Sequence, residues 1–337
     1  MDGPRPFGHL PDGSPVAEVT IAAGDLTAKV LTLGAIIRDL RLAGVPHPLV
    51  LGFDDVASYL DHSPYFGAVV GRCANRIRQA RFTLDGREHV LAANEGANQL
   101  HGGPEGFGRR NWRLVAHDRS SVTLGLTSAD GDQGYPGTLE ATCRYVVEAP
   151  STLRFEAEAT CDAPTIVNLA QHSYFNLADS ADILDHAVRI DADAYTPTGD
   201  DLVPTGEIRP VEGTDYDRRV LAPIRRLRGD ERVVFDLNYV VAGERSAKPR
   251  HQVRLEAPSG AVALDVWSTE PGVQFYDGSY LALDVPGLEG RRYQRNGGCC
   301  FEPQLYPDAP NHPHFPSAVL RPGETYRQVT RFAFSRS

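Results

Sequence analysis

Residues 168–177, Asn-Leu-Ala-Gln-His-Ser-Tyr-Phe-Asn-Leu, place polar side chains where a buried strand should carry apolar ones. A period of two puts Asn168, His172, Tyr174 and Asn176 on one face and Leu169, Ser173, Phe175 and Leu177 on the other. Hydrogen-bonding heads beside an aromatic ring suit a sugar, whose hydroxyls need partners and whose C–H face needs a flat cover. Residues 271–276 repeat the pattern with Gln274 and Tyr276, and residues 300–306 repeat it with Glu302, Gln304 and Tyr306. Glu302 lies between Phe301 and Pro303, where partial burial raises a carboxyl pKa and makes it a better base. Asn75, Arg76 and His101 supply further polar groups. Together these residues point to acid–base chemistry on a polyhydroxylated molecule.

Other chemistries find little support. The sequence has no Walker loop, no dinucleotide-binding glycine fingerprint, no His-Glu-x-x-His and no Gly-x-Ser-x-Gly. Residues 102–108 are glycine-rich, but they contain Glu105 and read as a plain loop rather than a phosphate cradle. His312 and His314 have the spacing of a metal pair; flanked by prolines and without a third ligand nearby, they read as a rigid loop. Lys29 and Lys248 are the sole lysines and both look exposed, which disfavours a Schiff-base mechanism. The five cysteines include no Cys-x-x-Cys spacing, and on a strand Cys299 and Cys300 would face opposite sides, so reduced thiols are expected.

The elements that hold these residues read as short strands punctuated by turns. Residues 81–84 and 87–91 flank Asp85-Gly86 as a hairpin with a two-residue loop, and residues 253–257 and 261–266 flank Pro-Ser-Gly in the same way. Residues 153–159 and 326–335 are further strands. Helical pattern is scarce: residues 54–60 can form two turns capped by an aspartate, and residues 218–228 another short helix. Without alternating strands and helices, a large antiparallel β-sandwich with few short helices is the expected all-β fold. No linker, repeat or low-complexity tract divides the chain, so residues 1–337 are expected to form a single domain.

At 337 residues, 41% hydrophobic and 23% charged, the chain can bury a full core. Forty-four acidic against 34 basic residues leave a net charge of -10, unsuited to nucleic acid or an anionic membrane surface. Mean hydropathy is -0.31, no stretch reaches 18 apolar residues, and residues 1–6 show no secretory signal, so a cytoplasmic location is expected.

Ordered motifs carry the reading further. Gly71-Arg72-Cys73-Ala74-Asn75-Arg76-Ile77, Leu100-His101-Gly102-Gly103, Ser128-Ala129-Asp130-Gly131 with Gly134-Tyr135-Pro136-Gly137, and His172-Ser173-Tyr174-Phe175-Asn176-Leu177 occur in sequence. Phe235-Asp236-Leu237-Asn238, Pro271-Gly272-Val273-Gln274-Phe275-Tyr276 and Glu302-Pro303-Gln304-Leu305-Tyr306-Pro307-Asp308-Ala309 follow. The whole set resembles the aldose 1-epimerase family, the galactose mutarotases. That resemblance implies a galactose-mutarotase-like sandwich with its site on one sheet, Glu302 as general base and His172 as general acid. It also implies that Asn75, Arg76, His101, Asp236 and Gln274 bind sugar hydroxyls. Leu237, Pro303 and Asp277 depart from the family's usual residues and leave the preferred sugar open.

The implied reaction interconverts the α- and β-anomers of free aldohexoses such as glucose and galactose. A base takes the proton of the C1 hydroxyl while an acid on the opposite side protonates the ring oxygen, and a carboxylate near His172, with Asp236 the candidate, would favour the imidazolium. No cofactor and no metal are called for; the partner is a monosaccharide, and the chain is expected to be a monomer or weak homodimer. Three alternatives stay open: a hexose-6-phosphate 1-epimerase with Arg291, Arg292 and Arg295 as phosphate clamp, a glycosidase using Asp236 and Glu302, and a catalytically silent carbohydrate-binding protein.

Overall fold

The computed structural model describes residues 3–336, so Met1 and Asp2 of the N-terminal segment, and Ser337, lie outside the described residues. Three antiparallel sheets account for most of the strands. A four-stranded meander runs through Arg5–His9, Pro15–Ala23, Leu26–Leu31 and Ile37–Leu42. A nine-stranded sheet is ordered Arg113–His117, Ser121–Ser128, Leu139–Glu148, Thr152–Cys161, Tyr326–Arg336, Val262–Ser268, Arg250–Glu256, Ala187–Ile190 and Ala222–Pro223. Six strands form the third: Tyr174–Phe175, Cys299–Gln304, Gly272–Tyr276, Asp236–Val240, Ala194–Thr196 and Arg209–Pro210.

Strand periodicity decides which face of the six-stranded sheet does what. Cys299, Phe301, Val273, Phe275, Leu237 and Tyr239 alternate inward and join one hydrophobic cluster with Phe155, Leu255, Val266 and Phe332 of the nine-stranded sheet, which makes the two sheets a sandwich. Phe275 stacks on Phe301 at 5.2 Å, and Phe175 meets Phe332 at 5.4 Å across the layers. Truncating any of these rings to alanine would cost about 3–5 kcal/mol. The opposite face carries Cys300, Glu302, Gln304, Gln274, Tyr276, Asp236 and Asn238, so the core-forming pattern of three strands is also what lines up the polar row.

Local expectations are largely met. Arg81–Leu84 pairs with Arg87–Val90 about Asp85-Gly86, both with positive φ (49° and 78°), as a two-residue loop of this kind requires. Arg250–Glu256 pairs with Val262–Ser268. Among the described residues one α-helix occurs, Val56–Asp61, and Asp55 caps it by accepting the Ser58 N–H at 2.8 Å. The helix expected over residues 218–228 does not form. Arg218 is buried instead, donating to the carbonyls of Pro223 (2.9 Å) and Ile224 (3.0 Å) and lying over the Phe235 ring, so the chain wraps around its own guanidinium. Ala222–Pro223 then adds to a sheet edge, where a proline's missing N–H costs nothing.

Candidate functional site

Three elements bring the acid–base residues together. Glu302 sits opposite Gln274, which sits opposite Asn238, one row across three strands; Asp236 lies in the adjacent row, opposite Tyr276. His172 ends the Ala170–His172 strand, which pairs with Ala68–Val70. A two-residue ladder, Arg76–Ile77 against Gln99–Leu100, presents Arg76 with Asn75 before it and His101 directly after Leu100. Asn75 and His101 both have positive φ (63° and 51°), and the loop after His101 approaches so closely that a Cβ on Gly102 (φ 88°) would lie 1.8 Å from the Gly71 carbonyl oxygen.

Glu302 Oε1 and His172 Nε2 are 3.6 Å apart, and both side chains are almost fully buried. Burial pushes the Glu302 carboxyl up to about 8, reinforced by Asp236 and opposed by Arg76. Burial also holds His172 down to about 4, despite a contact with its own carbonyl. Asp236 accepts from Gln274 Nε2 at 2.6 Å and lies 4.0 Å from Arg76 Nη1; burial raises its pKa, and Arg76 and the Gln274 hydrogen bond counter the rise. The expectation that Asp236 would favour a His172 imidazolium is therefore not met: its oxygens serve Arg76 and Gln274, and desolvation governs the histidine. Tyr174 stacks on His172 at 5.2 Å, and Cys300 Sγ is 3.6 Å from its Nδ1.

Six of the seven residues assigned by resemblance, Glu302, His172, His101, Arg76, Asp236 and Gln274, meet in this one cluster. Asn75 flanks it and organises it from behind: its Oδ1 accepts the Arg76 N–H at 2.9 Å and its own N–H donates to His101 Nδ1 at 3.1 Å. The row expected from residues 168–177 breaks up, because the strand interrupts at Ser173. Asn168 spends its side chain on the Leu305 N–H and the Ala74 carbonyl, and Asn176 holds the carbonyls of Ser180 and Gly297, which leaves His172 and Tyr174 for the site.

Two residues here were not anticipated. Glu95 grips Arg76 in a bidentate pair (2.6 and 2.8 Å), and Tyr65, hydrogen-bonded to Asn94, packs edge-on against His101 at 4.6 Å. Both come from loops without periodicity; the only sequence signal is the density of polar residues in 94–98 and the Pro64-Tyr65-Phe66-Gly67 turn.

His101, His172 and Glu302 have ligand atoms close enough to surround a metal ion. The donor set does not fit one. His101 Nδ1 already accepts the Asn75 N–H, so the ring proton is on Nε2 and the cleft meets a donor there rather than a lone pair. Burial, His172 and Arg76 together keep this imidazole neutral, well below its ordinary pKa, which suits it to donating to a hydroxyl oxygen. His312 and His314 do not converge: one lies 3.3 Å from Asp308 Oδ2, and the other bonds the Gly206 carbonyl at 2.7 Å. A roomier cavity of about 790 Å³, lined by Leu42, His47, Pro150, Leu177 and Val262 among others, includes none of the acid–base cluster, whereas a recess of about 300 Å³ reaches Asp236.

The substitutions against the family pattern lie off the polar row. Leu237 faces the core, Asp277 is buried against Arg232 at 2.7 Å, and Pro303 precedes the core-to-site alternation at Gln304 while its carbonyl accepts from Gln328. Of the arginines named as a phosphate clamp, Arg291 pairs with Asp179 and Glu289, and with Arg292 it lines a separate pocket beside Pro48 and Asn176.

Comparisons with known proteins show the family. The family model described as aldose 1-epimerase matches residues 17–333. Galactose mutarotase from Bos taurus is 40% identical over 98% of this chain and 97% of its own, and aldose 1-epimerase from Escherichia coli is 34% identical over 96% of each. Among solved structures, a GalM/aldose epimerase homologue from C. elegans superposes with a TM-score of 0.89 at 31% identity, covering 95% of this chain and 99% of its own. By fold and by sequence along nearly its whole length, the chain belongs to the aldose 1-epimerase family.

Proposed function

We propose that Glu302 and His172 carry the two proton transfers by which this mutarotase opens and recloses the pyranose ring of a free aldohexose, galactose or glucose. The supporting observation is their 3.6 Å approach in a desolvated cleft. The C1 hydroxyl and the ring oxygen hang on the same carbon, so acid and base must be neighbours, as they are here, rather than stand on opposite sides. The Glu302 carboxylate takes the O1 proton while His172 Nε2–H protonates O5, and the C1–O5 bond breaks to leave an aldehyde. Rotation about C1–C2 turns the other carbonyl face to O5, and the same two groups return the protons in reverse. Arg76, His101, Asp236 and Gln274 line the cluster with donors and acceptors for the remaining hydroxyls, and Asn75 holds Arg76 and His101 in place. Positioned acid–base groups contribute about 10² to 10⁴-fold, enough for a reaction that proceeds unaided in water.

The pair carries one proton. In the free site burial favours the arrangement without charge, protonated Glu302 beside neutral His172, and bound sugar must draw the proton across to reach the charged form that starts the reaction. Below about 4 His172 takes a second proton, and above about 8 Glu302 gives up the shared one. The acid limb of a rate profile thus follows the histidine and the alkaline limb the glutamate. The seven residues assemble without a residue from a partner subunit, so a monomer or weak homodimer suffices for the site, and five unpaired thiols support a reducing compartment such as the cytoplasm. Polarimetry of freshly dissolved α-D-galactose and α-D-glucose tests the reading: accelerated relaxation to the anomeric equilibrium is expected, and a rate no faster than buffer would refute it.

A further inference from the structure

The row that holds Glu302 contains more polar groups than the proton transfers use. Glu302, Gln274, Asn238 and Thr196 are directly opposite one another on four successive strands, and Gln304 follows Glu302 on the same face. Asn238 and Gln304 are almost completely buried. Five side-chain atoms in this patch have no hydrogen-bonding partner in the protein: Glu302 Oε2, Gln274 Oε1, Asn238 Oδ1, and both amide atoms of Gln304. Unpartnered buried polar atoms are a small minority in native interiors, and among the described residues five of the fifteen such side-chain atoms fall together on three adjoining strands.

The geometry brings the heads together. Gly272 lies opposite Gln304, and a Cβ built on it would sit 2.4 Å from Asn238 Oδ1 and 3.1 Å from the Tyr306 ring. The Asn238 amide therefore leans into the space that a side chain at 272 would occupy, towards Gln304, with Tyr306 closing that side. Four of the five orphan atoms are acceptors and only Gln304 Nε2 is a donor, so the groups cannot satisfy one another. A small molecule that brings two donors is what they lack, and water is the smallest that could serve side chains so fully buried.

We propose that Gln304 and Asn238 are positioning residues which, with Gln274, hold ordered water against Glu302 Oε2, on the side of the carboxylate that turns away from His172. The water gives the ionised carboxylate a second hydrogen-bond partner and fixes its rotation so that Oε1 stays aimed at His172 and the sugar. Charged or titratable groups facing Glu302 are His172, His101, Asp236, Arg76, Cys300 and Tyr174. None of them bonds Oε2.

This inference rests on reading Glu302 as a proton-transfer group, and Glu302→Gln separates the two: if that variant keeps its activity, the reading itself fails, whatever the flanking amides do. Gln304→Leu and Asn238→Leu are expected to move the alkaline limb of kcat/KM upwards by at least about half a pH unit and to lower kcat at least about threefold, with KM within about twofold. Asn238→Ser, which keeps a hydroxyl, should return the limb towards its wild-type position. An unmoved limb in a folded leucine variant overturns the proposal, and so does a rise in KM that accounts for the whole loss, since that would make these amides direct hydroxyl partners. A high-resolution crystal structure of the unsubstituted protein decides the matter even if the leucine variants fail to fold: density within hydrogen-bonding distance of both Glu302 Oε2 and Gln304 Nε2 supports the proposal, and none there refutes it.

Discussion

Glu302 and His172 invert the protonation that their types would adopt in water, because a buried site disfavours both charges. Each should lose at least about 10²-fold in kcat on Glu302→Gln or His172→Asn, with KM changed only several-fold, since shape is kept and proton transfer is not. The residual activities are more informative. With its partner gone neither group shares a proton, so His172→Asn is expected to work only with Glu302 ionised and to rise through about 8, and Glu302→Gln only with His172 protonated and to fall through about 4; steady-state rates across pH read both, and the opposite slopes would contradict the role assignment. The same shift bears on folding. A carboxyl whose folded pKa lies above its unfolded value of 4.5 contributes its full stability below 4.5 and loses it as pH rises towards about 8. Glu302→Gln should therefore be more stable than wild type at pH 7, by up to about 3 kcal/mol, with the gain gone at pH 4. Urea unfolding at the two pH values checks this. His101 makes a third case: with its proton fixed on Nε2 by the Asn75 N–H, the His101–His172–Glu302 cluster offers a divalent ion too few lone pairs, and dialysis against a chelator should leave the epimerisation rate unchanged.

At the scale of elements, most of the polar row was legible because strand period is rigid. Gly272–Tyr276 and Cys299–Gln304 keep an unbroken alternation, so Gln274 with Tyr276, and Glu302 with Gln304, could each be placed on one face from sequence alone, whereas Tyr306 lies past the strand's end. Residues 168–177 carry the same alternation on paper but change partners at Ser173, from Ala68–Val70 to Cys299–Gln304, and the row dissolves there. Residues 218–228 look helical by polarity, yet the buried Arg218 takes the segment's carbonyls for itself. Glu95 and Tyr65 were illegible because loops have no period to read. Arg72 shows how such loops are held. Buried to 1% exposure, it donates to the carbonyls of Ser128, Ala129, Pro136 and Gly137 and to the hydroxyls of Ser128 and Thr165, and so binds the glycine-rich turn of 128–137 to the strand that leads to Asn75 and Arg76. Arg72→Met would leave these carbonyls buried without a donor and is expected to cost about 3–5 kcal/mol, visible as a lower denaturation midpoint.

Across the whole molecule, the six-stranded sheet serves core and chemistry with opposite faces, so the cluster depends on the sandwich being closed. We propose that the chain unfolds as one unit: thermal melts followed by far-UV circular dichroism and by the fluorescence of Trp112 and Trp267 should coincide, and separated midpoints would indicate more than one domain. Family membership could be read because its motifs lie at these junctions between sheet and loop, whereas the choice of sugar depends on contacts that no motif marks. Tyr326–Arg336, the last strand in sequence, is the fifth of nine in the large sheet, pairing with Thr152–Cys161 on one side and Val262–Ser268 on the other. Until it has been synthesised and inserted, two half-sheets face each other with unpaired backbone N–H and C=O groups along their inner edges. A ribosome stalled before residue 326, or a protease that clips there, would thus leave two adhesive seams open to strands from neighbouring chains, and it is in that unfinished state that this protein would be most prone to amyloid-like association.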